Sequence, residues 1–210
     1  MARIEPVPMS KASPVVRLAY RFGPRMTKKL TGRAPQRGNG IEPMQIWAHQ
    51  PKMMMGMGRF NQAVRKGKRV DERIKNLVEL KGSQMIGCEW CVDLGSQICR
   101  NSGFSDDELL ALPRYRESEL FTEREKTALD YAVGVMRTPV EVTDEVFAKM
   151  RQHFDDSQIV ELTAFLTVVN LNRFNAAFGI GSAGFSDGMV CVVPDRPAPA
   201  SQVSPITKIA

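Results

Sequence analysis

The chain has 210 residues, 43% of them apolar and 25% charged, which suits one folded core and excludes collagenous, low-complexity and disulfide-stapled classes. Its formal net charge of +6 is uneven: residues 1–41 hold nine Lys or Arg against Glu5 alone, leaving a body of −2. No stretch approaches the roughly 18 apolar residues of a membrane helix and no basic-then-apolar leader opens the chain, so the expected address is cytoplasmic, with no membrane partner. A basic arm is suited to nucleic acid or an anionic surface, but no recognition motif accompanies it. A solubilising arm that packs on a neighbouring subunit is the expectation.

In chain order, residues 1–12 read as extended. From Ser13, the apolar positions of Val15, Val16, Leu18, Ala19 and Phe22 have helical spacing, with Pro14 in the first turn where its missing N–H costs nothing. Pro24 is expected to kink or end that helix, ahead of a Gly/Pro/Arg loop from Thr31 to Gly40. Pro43 opens a short helix carrying Ile46, Trp47 and His49, and Pro51 another through Met53, Met54, Met55, Met57, Phe60 and Val64. Thioethers suit cuprous ions, yet no His or Cys joins the cluster at ligand spacing, so these methionines read as flexible core filler.

Asp71 is placed as the N-cap of a helix with an apolar stripe of Ile74, Leu77, Val78 and Leu80, running to a natural break at Gly87. The next helix is expected over 88–101, with Gly103 past its end. Ser105 with Glu108, and Thr122 with Glu125, have capping-box spacing and open helices that end before Pro113 and near Arg137. Thr143 caps a further helix, and Asp155 with Gln158 caps a long central one over 156–178. Beyond residue 179 the chain is Gly- and Pro-rich and reads as an arm over the surface or onto a partner. With no strand alternation and no repeat, the expectation is an all-α chain: a basic N-terminal arm (1–42), a helical domain (43–178) and a C-terminal arm (179–210).

The compact chemical signature is Cys88-Glu89-Trp90-Cys91 at a helix start. The exposed N–H groups and positive end of a helix favour thiolate over thiol, and the spacing lets both sulfurs bond within one turn. A thiolate oxidised by peroxide to a sulfenic acid can then be resolved by its neighbour into a disulfide. Zinc is the rival, but Cys99, Cys191, His49 and His153 supply no second CxxC or His pair. Inert packing is the other alternative. Cys99 and Cys191 read as small buried hydrophobes, and His49 and His153 as lone surface or core histidines.

The order of Asp71-Glu72-Arg73-Ile74-Lys75-Asn76-Leu77-Val78-Glu79-Leu80, Cys88 to Asp93, Gly103-Phe104-Ser105-Asp106-Asp107-Glu108 and Phe121-Thr122-Glu123-Arg124-Glu125 resembles the carboxymuconolactone decarboxylase and alkylhydroperoxidase D-like family, over about 43–178. The resemblance implies an all-helical alkylhydroperoxidase D-like domain that assembles as a homo-oligomer and needs no cofactor or metal. It also implies an antioxidant, peroxiredoxin-type activity on a peroxide or small disulfide, in which Cys91 takes the oxidation, Cys88 resolves it and a thiol reductant resets the pair. Peroxidase members carry a histidine four residues after the second cysteine and a glutamate twelve before the first. Here those positions are Gly95 and Asn76, neither able to relay a proton.

Glu79, one turn beyond Asn76, and Asp93, beside the cysteines with Glu89, are the substitute catalytic carboxylates. An acidic neighbour raises a thiol pKa, so either serves only as a buried base with its own pKa raised. Two further readings stay open: a non-catalytic helical oligomer or binding protein of the same fold, and a lyase-type activity on a small organic acid.

Overall fold

In the computed structural model, which describes residues 2–186, every regular element is helical, as the apolar periodicity predicts. Ten α-helices follow one another: α1 Pro14–Thr31, α2 Glu42–Trp47, α3 Pro51–Arg65, α4 Glu72–Ile86, α5 Glu89–Asn101, α6 Asp106–Ala111, α7 Glu123–Met136, α8 Asp144–His153, α9 Asp156–Val169 and α10 Asn172–Ala177, with a 3₁₀ turn Leu112–Arg114 after α6.

The hub is α4, which packs on α5, α7, α9 and α10. Its Ile74, Leu77, Val78 and Leu80 meet Leu129 and Ala132 of α7 and Leu162 and Leu166 of α9 in the main core. Gly82 marks a close approach of α4 and α9: a Cβ there would lie 2.8 Å from Val169 Cγ1. A smaller cluster of Ala12, Val16, Tyr20, Ile41 and Ala48 lies under the N-terminal elements. A stack of Trp47 on Phe174, with centroids 3.8 Å apart, ties α2 to α10.

The helix starts are set locally. Ser105 with Glu108, Thr122 with Glu125, and Asp155 with Gln158 all close reciprocal capping boxes, satisfying first-turn N–H groups. Asp71 sits at the N-cap of α4 without a side-chain cap; its Oδ2 instead accepts from Arg124 at 2.6 Å.

Four expectations change. Of the two outcomes expected at Pro24, an end to the helix is not seen, and α1 continues to Thr31. The C-terminal carbonyls of α1 are taken by α5, where Asn101 Nδ2 donates to Leu30 O (3.0 Å) and Gln97 Nε2 to Thr31 O (2.9 Å), so docking outweighs the local cost of the proline. His49 falls outside α2, its Nε2 2.9 Å from Glu5 O. The methionine-rich α3 has no buried residue: Met53 and Met55 are exposed, and Met54 leans on the smaller cluster, so the methionines are not core filler. The long helix expected over 156–178 is two, α9 and α10, joined by a turn at Asn170 and Leu171.

The N-terminal arm spends part of its charge on its own backbone. Arg3 donates to the carbonyls of Phe178 (2.8 Å, through its N–H) and Ala177 (2.8 Å, through its guanidinium), capping α10. Arg17 reaches Ala12 O and Ser10 O. Within residues 179–186, Ile180 and Phe185 are buried against the body rather than spread over the surface. The remainder of the C-terminal arm, with Cys191, lies outside the described residues. Among the described residues, no helix is long and apolar enough to cross a membrane.

Candidate active site

Gly87 ends α4 in the left-handed region (φ 72°), and this reversal presents Cys88 as the N-cap of α5. Cys88 and Cys91 are joined by a disulfide. The Cys91 N–H donates to Cys88 Sγ at 3.3 Å, so the first cysteine fills the place a Ser or Asp would take at a helix start. The Cys88 N–H is held by Ser83 O at 3.2 Å. Cys88 is wholly enclosed, whereas Cys91, also buried, keeps 7% of its residue surface exposed.

The short α10 backs the pair. Asn175, itself buried, donates from Nδ2 to Cys91 Sγ at 3.4 Å. Asn172 Nδ2 donates to Ser83 Oγ at 3.0 Å, bracing the residue whose carbonyl holds Cys88. Each sulfur thus faces one N–H donor. A thiolate strengthens such a bond because the acceptor is then charged. Asn175 was not singled out by sequence reasoning. The signal was an amide inside the apolar run Phe174-Asn175-Ala176-Ala177-Phe178, a residue type that is buried only with a partner.

The two substitute carboxylates are both engaged by other partners. Asp93 is buried (2% exposed) and accepts five hydrogen bonds from the chain after α10. Oδ2 takes Ser182 Oγ (2.9 Å), Ala183 N (3.0 Å) and Phe185 N (3.0 Å); Oδ1 takes Ser186 N and Ser186 Oγ (2.8 Å each). Burial alone would raise its pKa, but the bonds from Phe185, Ser186 and Ser182 outweigh it and hold the carboxyl below the usual Asp value. A base needs a raised proton affinity and an open lone pair; Asp93 has neither. It anchors residues 182–186, setting Phe185 edge-on to Trp90 with centroids 6.2 Å apart.

Glu79 is bound by Arg65 of α3 through two hydrogen bonds, Nη1 to Oε2 at 2.8 Å and Nη2 to Oε1. Each of its oxygens accepts from the guanidinium, and among the described residues it has no hydrogen bond to Cys88 or Cys91. Gly95 faces α4, where a Cβ would sit 3.4 Å from Leu80 Cδ1, and the Asn76 carbonyl accepts from Cys99 Sγ at 3.9 Å. Neither residue type carries a titratable proton, and a side chain at position 95 would meet Leu80.

Cys99 is buried, and burial with the nearby Glu79 charge pushes its thiol up to about 12. Brief iodoacetamide treatment of the reduced, folded protein at about pH 8 should therefore label Cys91 at least a hundredfold faster than Cys99. Equal labelling read by peptide mass spectrometry would refute this placement. Among the described residues, no group of three or more His, Cys, Asp or Glu is placed to hold a metal ion.

Among known proteins, the sequence pattern of the carboxymuconolactone decarboxylase family matches residues 51–133. The uncharacterized protein YnjA of Escherichia coli is 33% identical over 161 residues, 76% of this chain and 86% of its own. The debrominase Bmp8 superposes with a TM-score of 0.72 at 20% identity, covering 88% of this chain and 94% of its own. An uncharacterized peroxidase-related protein from Ralstonia eutropha with an alkylhydroperoxidase AhpD core gives 0.69 at 18% identity, covering 88% and 94%. At those identities the two structures establish the all-helical, AhpD-like fold.

Proposed function

The chain belongs to the carboxymuconolactone decarboxylase family, and on that premise we propose that it is a thiol-based oxidoreductase reducing a peroxide or a small disulfide through Cys91 and Cys88. The observation that carries the reading is the Cys88–Cys91 disulfide at the start of α5, with Asn175 donating to the outer sulfur.

In the peroxide case the Cys91 thiolate attacks the near oxygen of ROOH. The S–O bond forms, the O–O bond breaks, and the alcohol leaves with a proton from the medium. The Cys88 thiolate then attacks the sulfenic sulfur; the S–S bond forms, the S–O bond breaks, and the oxygen leaves as water with a proton from the medium. Two electrons pass from the dithiol to the peroxide, and a thiol reductant returns them by exchange. With a small disulfide, Cys91 would instead form a mixed disulfide as one thiolate leaves, and Cys88 would then attack Cys91 Sγ and expel the second.

With Asn76 and Gly95 unable to carry protons and Glu79 and Asp93 engaged elsewhere, thiolate stabilisation falls to the Asn175 donor and the N-terminal end of α5. Turnover is then slower than a protein with a dedicated relay would show. A homo-oligomer accompanies this reading. It is supported by an exposed apolar stripe on α1, formed by Val15, Leu18, Phe22, Met26 and Leu30. The requirement for a thiol reductant suits a cytoplasmic setting.

The test starts from the reduced protein. One equivalent of hydrogen peroxide should regenerate the Cys88–Cys91 disulfide, reversibly with dithiothreitol, while Cys88→Ser should leave a dimedone-reactive sulfenic acid on Cys91. Two free thiols surviving excess peroxide and excess small disulfide would sink the proposal.

A further inference from the structure

Away from the disulfide, a cleft of about 280 Å³ opens where α4 and α7 meet the 3₁₀ turn. Its lining combines the apolar Met85 of α4, Val133 of α7 and Pro113 with the cationic Lys81, Arg114 and Arg116. None of Cys88, Cys91 or Asn175 lines it. We propose that this cleft binds a small monocarboxylic acid with an apolar or aromatic body, its carboxylate on Lys81 and its body against Met85 and Val133.

Lys81 carries the argument. It is half-buried, and its Nζ has one long hydrogen bond, to Pro113 O at 3.4 Å, with the Tyr115 ring at 5.3 Å. It makes no ion pair among the described residues, although a part-buried ammonium is costly to leave uncompensated. Burial, and then the Arg116 charge, press its pKa down. The neighbouring carboxylate does not relieve it: Asp130 Oδ1 already accepts from Tyr115 Oη (2.5 Å) and Arg116 Nε (2.6 Å). Glu117 lines the cleft and is exposed. With Arg116 paired to Asp130, Lys81 and Arg114 are the lining cations without an ion pair among the described residues, and Glu117 is the lining carboxylate. A small acid completes that arrangement, its charge meeting Lys81 and its body excluding water from the methionine and valine. The volume lies at the small end for a ligand pocket and suits an acid of benzoate size.

Benzoate titrated into the full-length protein by isothermal calorimetry is the test, with neutral benzamide as control. Saturable binding of benzoate, and none of benzamide in the same range, is expected. Lys81→Met should weaken benzoate about tenfold, the loss of one charge-assisted contact. Glu117→Gln removes a repelling carboxylate and should tighten it about twofold, which keeps the proposal testable if Lys81→Met fails to fold. The double variant Cys88→Ser/Cys91→Ser should bind benzoate as the parent does. No saturable binding at millimolar benzoate, equal binding of benzamide, or an affinity indifferent to both charge changes would overturn it.

Discussion

Asp93→Asn should lower the unfolding free energy by about 3 kcal/mol, the cost of misplacing donors around a buried carboxylate, and the melting temperature by roughly 6–12 °C. Both carboxylate oxygens are acceptors for the 182–186 segment, Oδ1 twice and Oδ2 three times. An amide replaces one of them by an NH₂ that points donor at donor. Acid should probe the same cluster. Because the folded pKa of Asp93 is depressed, its contribution is complete above the ordinary Asp value and drains as pH falls from there through the folded value. Urea unfolding should therefore show a parent–variant difference that is full at neutral pH and shrinks below about pH 4. A difference that stays constant down to pH 2 would contradict the assignment of Asp93 as an ionised anchor.

The second large effect is expected at Asn175. Removing its donor by Asn175→Ala should raise the pKa of Cys91 in the reduced protein by about one unit, the worth of one hydrogen bond to a charged acceptor. The thiolate fraction near pH 7, and with it the rate of alkylation, should fall about tenfold. Asn175→Asp should raise the pKa further, since a carboxylate then faces the thiolate. That ordering separates an electrostatic role from simple loss of packing, which would not rank aspartate worse than alanine. The check is pH-dependent alkylation of Cys91 followed by mass spectrometry; identical titration curves for parent and both variants would remove Asn175 from the site.

What could be read from the sequence divides by the range of the interactions involved. The capping pairs at Ser105, Thr122 and Asp155 formed as spaced, because each partner is three residues away and the bond depends on nothing else. The Gly87 break and the placing of Cys88 at a helix start were legible for the same reason. Pro24 misled because the carbonyls that hold the end of α1 are satisfied from α5, about seventy residues on. Asp93 misled more deeply. An acid two residues after a reactive cysteine invites a catalytic reading, while the donors that commit it lie about ninety residues later in a stretch without helical pattern. The methionines of α3 show the limit of composition: an apolar residue type says nothing about which helix face the body covers.

The five-bond clasp on Asp93 has a practical corollary for where this chain is cut. The family pattern matches residues 51–133 and the last described helix ends at Ala177, so a version trimmed at residue 178 would look complete by sequence. It would strand an ionised carboxylate in the interior two residues from Cys91 and strip Phe185 from Trp90, uncovering the flank of the disulfide. Residues 182–186 are thus part of the folded body around Asp93 even though no motif marks them. Any tag, fusion point or protease site is better placed after Ser186.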